Sequence, residues 1–256
     1  MRRMMLAVGT VALCVACGGG GGGDQAGGAE GGDQAAPAAA AALGTASVSG
    51  NVLFTGTAPA NPAIDMAEEP ACRDKHPEGP RDPEVVVTDG KLANVFVYVK
   101  SGLPAGQTFP APSAPAVIDQ DGCLYHPRVL GVMVGQPLEI RNSDPVLHNI
   151  KAVPTVNRGF NISQPQAGMT TTRTFSDPEV MVPLECNVHG WMNAFLGVVA
   201  HPFFAVSGTD GTFTIGGLPA GTYELEAWHE KFGTRTASVT VTDGGTATVE
   251  FSFAAN

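Results

Sequence analysis

The sequence predicts an all-β fold. From residue 47 onward, short runs of β-branched and aromatic residues recur, separated by Gly, Pro, Asn and Asp, which is the pattern of strands joined by turns. No amphipathic segment of useful helical length interrupts these runs. Short strands at regular spacing are typical of a sandwich or a barrel. The clearest predicted strands outside the middle of the chain span residues 48–54, 92–99, 212–215, 222–228, 237–241 and 247–253.

Length and charge limit the classes of protein that fit. The chain has 256 residues, which allows one large or two ordinary domains. Charged residues make up 15% of the sequence and the formal net charge is −10. Nucleic-acid-binding surfaces are basic, so a nucleic-acid partner is not expected.

The first 17 residues have the pattern of an export signal. Arg2 and Arg3 precede an apolar stretch that ends at Ala16 and is too short to span a bilayer comfortably. A small residue directly before Cys17 resembles a bacterial lipoprotein cleavage site, which implies a signal peptide at 1–17 and a lipid on Cys17. Gly18 resembles the sorting position of lipoproteins sent to an outer membrane. The resemblance implies a lipid-anchored protein of the cell envelope, at the outer membrane and facing the periplasm; the alternative is ordinary secretion with cleavage nearby.

Residues 18–46 are predicted to form a flexible linker. Six consecutive glycines at 18–23 are followed by an Ala-rich run. Glycine-rich chains behave as flexible coils, and this composition cannot offset the entropy cost of ordering the backbone. A lipid anchor followed by such a linker would leave the folded part free to meet partners near the membrane.

The most informative motif lies on one short loop and has the spacing Cys-x2-His-x2-Met. Cys186, His189 and Met192 provide a thiolate, an imidazole and a thioether, and His148 provides a second imidazole after a polar turn. Two His, one Cys and a weak axial Met are the ligands of a mononuclear blue-copper site. Zinc is the main rival, since Cys and His also bind it, but the Met favours copper.

The residues around this motif resemble the blue-copper (cupredoxin) family. Residues 134–142 look like the strand that enters the first His ligand, 174–175 with 180–184 like the strand that enters the Cys loop, and 195–199 like the strand that leaves it. The resemblance implies a Greek-key sandwich that holds one copper ion through His148, Cys186, His189 and Met192. It also implies that Asn149 ties the two ligand loops together. The single Cys in the loop argues against a dinuclear centre.

The C-terminal region resembles a second family. Residues 210–225 carry Asp-Gly and Pro-Ala-Gly turns between strands with alternating apolar residues. They resemble the carboxypeptidase regulatory-like domain, a transthyretin-like sandwich grouped with carbohydrate-binding-like folds. Residues 48–52 look like the first strand of that module, and 92–99 are a candidate for the second. We therefore expect one sandwich made of residues 47–104 and 206–256, with the copper domain at 105–205 inserted; sequential modules are the alternative.

Two further cysteines remain for pairing. An exported protein meets oxidising conditions, and Cys72 and Cys123 are left after the signal, lipidation and loop cysteines are assigned. A disulfide would tie the Pro-rich segment around Cys72 to the front of the copper domain. The alternative is a second metal site made of Cys72, His76, Cys123 and His126, whose spacings also permit metal binding.

The function that these expectations favour is one-electron transfer by a Cu(II)/Cu(I) site. His189 and Trp191 are the candidate electron port, and a respiratory complex or a cytochrome with a basic face is the expected partner. Because the ligand set leaves no open position for a substrate, an enzyme is not expected. The alternatives are a carbohydrate- or surface-binding lipoprotein whose metal site is structural or vacant, and a protein that delivers copper. His229 is interpreted as a packed structural residue, since it lacks the spacing of a metal ligand.

Overall fold

The computed structural model describes residues 43–255, which form strands and one short helix, α1 (Pro70–Arg73). The predicted signal peptide, the lipidation at Cys17 and most of the predicted linker lie outside the described residues. The strands are β1 (Ala46–Thr55), β2 (Val87–Thr88), β3 (Lys91–Leu92), β4 (Phe96–Ser101), β5 (Ala116–Asp121), β6 (Leu124–His126), β7 (Val129–Met133), β8 (Leu138–Asn142), β9 (His148–Ala152), β10 (Phe160–Gln164), β11 (Met169–Arg173), β12 (Glu179–Glu185), β13 (Asn193–Val199), β14 (Phe204–Val206), β15 (Thr212–Leu218), β16 (Gly221–His229), β17 (Gly233–Val241) and β18 (Thr246–Ala254). The expected all-β class is confirmed.

Strands from both ends of the described chain form one sandwich, here called the terminal sandwich (β1–β4 and β14–β18). One sheet has the order β15-β1-β3-β2, with β18 parallel to β1, and the other has the order β14-β4-β16-β17. Alternate residues of β1 and β16 are buried, as expected when one face of each strand packs on the core. Phe213, Ile215, Tyr223 and Leu225, the alternating residues of the C-terminal motif, all lie in this core.

Strands β5–β13 form a second sandwich, here called the middle sandwich. Its sheets have the orders β10-β9-β12-β13-β7 and β11-β8-β5-β6. The core between them contains Ile140, Ile150, Leu184 and Leu196, each at most 1% exposed. The chain thus leaves the terminal sandwich after β4, completes the middle sandwich and returns at β14. The exact domain bounds stay a prediction, which limited proteolysis can test.

Two glycines allow the two sandwiches to pack closely. Gly131 of β7 and Gly197 of β13 are paired in register. A Cβ atom would lie 2.4 Å from the Phe204 ring at Gly131 and 2.5 Å from the Phe96 ring at Gly197. Both rings belong to the terminal sandwich, so the absence of side chains at this pair gives the aromatic rings a flat surface on which to pack.

Several strand predictions need correction. The run 92–99 is not one strand, because Asn94 has a left-handed backbone (φ 59°) and separates β3 from β4, which belong to different sheets. In the run 134–142 only β8 is strand, since Gly135 (φ 80°) forms a turn. Residues 174–175 fall between β11 and β12. β1 begins at Ala46, inside the predicted linker.

Within residues 43–255, no helix has the length and apolar character needed to cross a membrane.

Candidate metal centre

The candidate ligands meet at one end of the middle sandwich because of the way three strands pair. β9 is antiparallel to β12, and β12 is antiparallel to β13. The three strands therefore bring their termini to the same end of the sheet, namely the start of β9, the end of β12 and the start of β13. His148 is the first residue of β9, Cys186 directly follows β12 and Met192 directly precedes β13.

Three of the four predicted ligands converge. Donor atoms of His148, Cys186 and His189 lie within 4.8 Å of one another, and all three residues are buried. The two Nδ1 atoms of His148 and His189 are 2.9 Å apart. The fourth residue, Met192, is fully buried and lies in the same core cluster as Cys186. Its backbone N–H donates to His189 O and its backbone oxygen accepts from Cys186 N–H, so it closes the loop that carries the other two residues.

Asn149 connects the two loops through its side chain. Its Oδ1 accepts a hydrogen bond from the backbone N–H of Asn187 at 2.6 Å and lies 3.4 Å from Cys186 Sγ. Its Nδ2 donates to Asn161 Oδ1, and its backbone oxygen accepts from the Tyr125 hydroxyl at 2.6 Å. These contacts fix the position of the Cys loop relative to β9.

The electrostatics favour a thiolate at Cys186. Burial is the largest single effect and raises the pKa of the thiol, but hydrogen bonds to His148 and His189 and backbone N–H contacts outweigh it and lower the pKa to about 5. One of these contacts is the His189 N–H, which donates to Sγ at 3.3 Å. Since the thiolate is the form that binds soft metals, this environment prepares the sulfur as a ligand.

A carboxylate that the sequence analysis missed supports His148. Asp144 Oδ2 lies 2.9 Å from His148 Nε2, and both side chains are at most 1% exposed. Burial lowers the pKa of His148, but hydrogen bonds to Asp144 and Cys186 raise it overall. For Asp144, burial raises the pKa, and hydrogen bonds to His148, to Lys75 and to two backbone N–H groups lower it well below its ordinary value. The signal was present in the sequence as an Asp four residues before the His.

The disulfide-forming cysteines lie beside this centre. The structure joins Cys72 of α1 to Cys123 of the β5–β6 turn. Of the residues in the alternative second metal site, His76 Nε2 lies 2.7 Å from Gly122 O and His126 Nε2 lies 3.1 Å from Asp121 O. One nitrogen of each ring thus contacts a backbone oxygen.

A cleft opens next to His189. It has a volume of about 360 Å³ and is lined by Asp65, Met66, Glu68, Glu69, Val188, His189 and Trp191. The His189 and Trp191 ring centroids are 5.1 Å apart. Glu69 Oε2 lies 4.0 Å from His189 Nε2, the ring nitrogen on the far side from His148. The carboxylates of this cleft, like Asp144, were not found by sequence reasoning, because the Pro-rich segment that carries them is distant in sequence.

His201 and His229 lie away from this centre. His201 Nε2 is 2.9 Å from Val99 O, and His229 is fully buried in the terminal sandwich. Burial lowers the pKa of His201 and lowers the pKa of His229 to about 4.

A comparison with protein families agrees with one of the two resemblances. Residues 198–254 match the carboxypeptidase regulatory-like domain family, which confirms the expected resemblance of the C-terminal strands. No curated protein matches the chain.

Among solved structures, the chain is similar to a purple cupredoxin from Nitrosopumilus maritimus (22% identity, 32% of this chain and 98% of that chain, TM-score 0.29). It is also similar to an amicyanin variant in its Cu(I) state (21% identity, 40% of this chain and 97% of that chain, TM-score 0.30). A third similar structure is the Cu-containing nitrite reductase of Thermus scotoductus SA-01 (21% identity, TM-score 0.29), where the match covers 38% of this chain but a quarter (25%) of the enzyme.

Proposed function

We propose that the chain is a blue-copper protein that carries one electron at a time, and that copper would be held by His148, Cys186 and His189 together with the thioether of Met192. The observation that carries the proposal is the convergence of two imidazoles and one thiol in a buried pocket at a sheet edge. This combination of nitrogen and sulfur donors suits both Cu(I) and Cu(II). The bound metal would supply the Cu(II)/Cu(I) couple.

The protein's own contribution is to keep the donors in place while the charge of the site changes. Two strands of one sheet hold His148 and Cys186, and Asn149 joins their loops. Burial of all three donor residues keeps water away from the sulfur. A site fixed in this way needs little rearrangement on electron transfer, and the same burial argues for a retained ion rather than a delivered one.

The electron port in this proposal is His189, with Trp191 beside it. His189 is the donor residue that lines a cleft open to the surface. Two exposed apolar side chains directly adjoin the donors: Leu147 precedes His148 and is 43% exposed, and Val188 precedes His189 and is 48% exposed. Such apolar contacts next to a redox centre would let a partner approach closely without trapping ordered water.

The expected partner is a protein with a basic docking face, such as a respiratory complex or a cytochrome. The carboxylates of Asp65, Glu68 and Glu69 line the cleft at His189, and the formal net charge of the chain is −10. Complementary charge speeds association and depends on salt. A lipid on Cys17 at the outer membrane, facing the periplasm, would keep the protein near membrane-bound partners. The four donor residues would fill the coordination of the bound ion and leave no position for a substrate, so we propose a carrier rather than an enzyme.

The test is a visible spectrum of the purified chain with one equivalent of Cu(II), recorded beside Cys186→Ser. We expect an intense thiolate-to-copper band that Cys186→Ser lacks and that a mild reductant bleaches reversibly. Val188→Ser, in the same loop but without a donor atom, is the matched control and should keep the band. A wild-type chain that stays colourless, or that prefers Zn(II) over Cu(II) in competition, would refute the proposal.

A further inference from the structure

Asp144 is a buried carboxylate whose two oxygens together have four hydrogen-bond partners. Lys75 Nζ donates to Oδ1 at 2.8 Å and the Gly122 N–H donates to the same oxygen at 2.9 Å. The Cys123 N–H lies 2.7 Å from Oδ2, and His148 Nε2 lies 2.9 Å from that oxygen. The side chain is 1% exposed.

This set of partners requires an ionised carboxylate. A buried charge is tolerated only when it is paired and hydrogen-bonded, and three of the four partners here can only donate. Two backbone N–H groups and an ammonium group cannot accept a hydrogen bond, so the carboxylate must accept. By the same argument His148 donates from Nε2, and its proton therefore lies on that nitrogen.

The choice of tautomer decides which nitrogen is free to bind metal. With the proton on Nε2, the lone pair of His148 lies on Nδ1, the atom 2.9 Å from His189 Nδ1. A carboxylate that receives the second N–H of a metal-binding His fixes both the tautomer and the direction of the ring. Asp144 is placed to do this for His148.

The β5–β6 turn that anchors Asp144 also contacts the second ligand loop. Gly122 (φ 63°) and Cys123 (φ 57°) both have left-handed backbones, which aim two successive N–H groups at the carboxylate. The backbone oxygen of Cys123 accepts a hydrogen bond from Trp191 Nε1 at 3.0 Å. Trp191 lies between His189 and Met192 in the sequence. The side chain of Cys123 is joined to Cys72. One disulfide-held residue therefore contacts both loops that carry the candidate ligands.

We infer that Asp144 is a positioning residue that orients His148 for metal binding, and that the disulfide-held turn Gly122–Cys123 is its anchor. This inference rests on the proposed function for the identity of the metal, but not for the orientation of the ring. Asp144 binds no metal in this scheme and acts only through His148.

The first measurement uses the metal-free wild-type chain and needs no variant. Nitrogen-15 NMR of the histidine side chains reports which ring nitrogen carries the proton. We expect His148 to be protonated at Nε2, with a slowly exchanging N–H, whether or not copper binds. A neutral ring with its proton on Nδ1, or a fast-exchanging mixture of neutral tautomers, would overturn the inference even if the chain proves to be a copper protein.

The second measurement compares Asp144→Asn with Asp121→Asn. An amide has one acceptor oxygen and one donor group. In Asp144→Asn the N–H2 group would therefore face hydrogen-bond donors that contact a carboxylate oxygen in the wild type. We expect copper affinity to fall by roughly 10- to 100-fold, the thiolate-to-copper band to shift, and the reduction potential to rise because a negative charge near the metal is lost. Asp121 also pairs with Lys75 but is 56% exposed, so Asp121→Asn should match the wild type.

The outcomes separate the two ideas. Equal copper affinity and equal spectra for Asp144→Asn and Asp121→Asn would overturn the positioning role while leaving the copper site intact. A wild-type chain that binds no copper but holds its His148 proton on Nε2 would support the positioning role and refute the electron carrier.

Discussion

Each sandwich buries one histidine completely, and the two residues have opposite environments. His148 in the middle sandwich and His229 in the terminal sandwich are both 0% exposed. His148 has a polar partner at each ring nitrogen, namely Asp144 at Nε2 and His189 at Nδ1. His229 accepts one hydrogen bond, from Lys231 N–H to Nδ1, and within residues 43–255 its Nε2 has no partner.

The surroundings of the two rings explain the difference. His229 stacks on Phe232 with ring centroids 4.8 Å apart and lies near Phe253, so it acts as a flat apolar side chain. Burial accordingly lowers its pKa to about 4, whereas the pKa of His148 is raised. Burial alone therefore does not identify a functional histidine. The middle sandwich concentrates buried polar side chains at the end that carries the candidate metal centre. The terminal sandwich surrounds its buried histidine mainly with apolar side chains.

The largest expected effect concerns the disulfide that joins α1 to the middle sandwich beside the candidate metal centre. In Cys72→Ser/Cys123→Ser the disulfide across 51 residues is lost, and we expect the free energy of unfolding to fall by about 4 kcal/mol because the unfolded chain gains freedom. Urea denaturation of the variant and the wild type measures the difference. Wild-type protein in a dithiol reductant is the control and should converge on the variant. A loss below about 1 kcal/mol would show that the disulfide contributes little to the free energy of unfolding.

The second prediction concerns the pH dependence that His229 imposes. Its pKa is about 4 in the folded protein against an ordinary value of 6.5, so the unfolded chain takes up the proton first as pH falls. The part of the folding stability that is linked to His229 is thus fully present above about pH 6.5 and is lost progressively down to about pH 4. Below that pH it changes no further. Burial is the main cause; Glu84 opposes the shift, while Arg128 and Lys231 add to it.

Between pH 7 and pH 4 we expect the free energy of unfolding to fall less in His229→Phe than in the wild type. The difference should be up to about 3 kcal/mol, at 1.36 kcal/mol for each pKa unit. Denaturation curves at several pH values, for the variant and the wild type, measure it. The control is His126→Gln, since His126 is an exposed residue of the middle sandwich. Should His229→Phe and wild type lose stability in parallel, His229 would not be the buried neutral residue described here.

The smallest effect is expected where the two sandwiches meet. In Gly197→Ala the new Cβ would lie 2.5 Å from the buried Phe96 ring, and such overpacking costs about 1–3 kcal/mol. Thermal unfolding measures the loss. Gly216→Ala in β15 is the matched control, because a Cβ there meets no atom within 4 Å, and we expect a change within about 0.5 kcal/mol. If the two variants behave alike, the contact between the sandwiches is looser than the geometry implies.

Site residues could be predicted from the sequence when the residues that interact are close along the chain. Cys186, His189 and Met192 lie on one hairpin loop, so their spacing alone placed them together. Asn149 adjoins His148 and was found through the family resemblance. Asp144 was missed, although it lies four residues from His148, because nothing local shows that it is buried.

The partners of Asp144 are still further away. Lys75 is 69 residues distant and the Gly122–Cys123 turn about 21 to 22 residues distant. Glu69 lines the cleft from the residue just before α1, and the disulfide joins α1 to the β5–β6 turn. The run 92–99 was misread as one strand for a related reason: the break at Asn94 depends on its two halves joining different sheets.

The sequence by itself determined the all-β class, the soft donors of the Cys loop and the acidic charge, because these follow from residue type and short-range spacing. Tertiary structure decided which nitrogen of His148 faces the other donors, which carboxylate holds that ring and which buried histidine remains apolar. The physical reason is that hydrogen bonds act over about 3 Å and depend on direction. Only the pairing of strands that are far apart in the chain brings those atoms within that range.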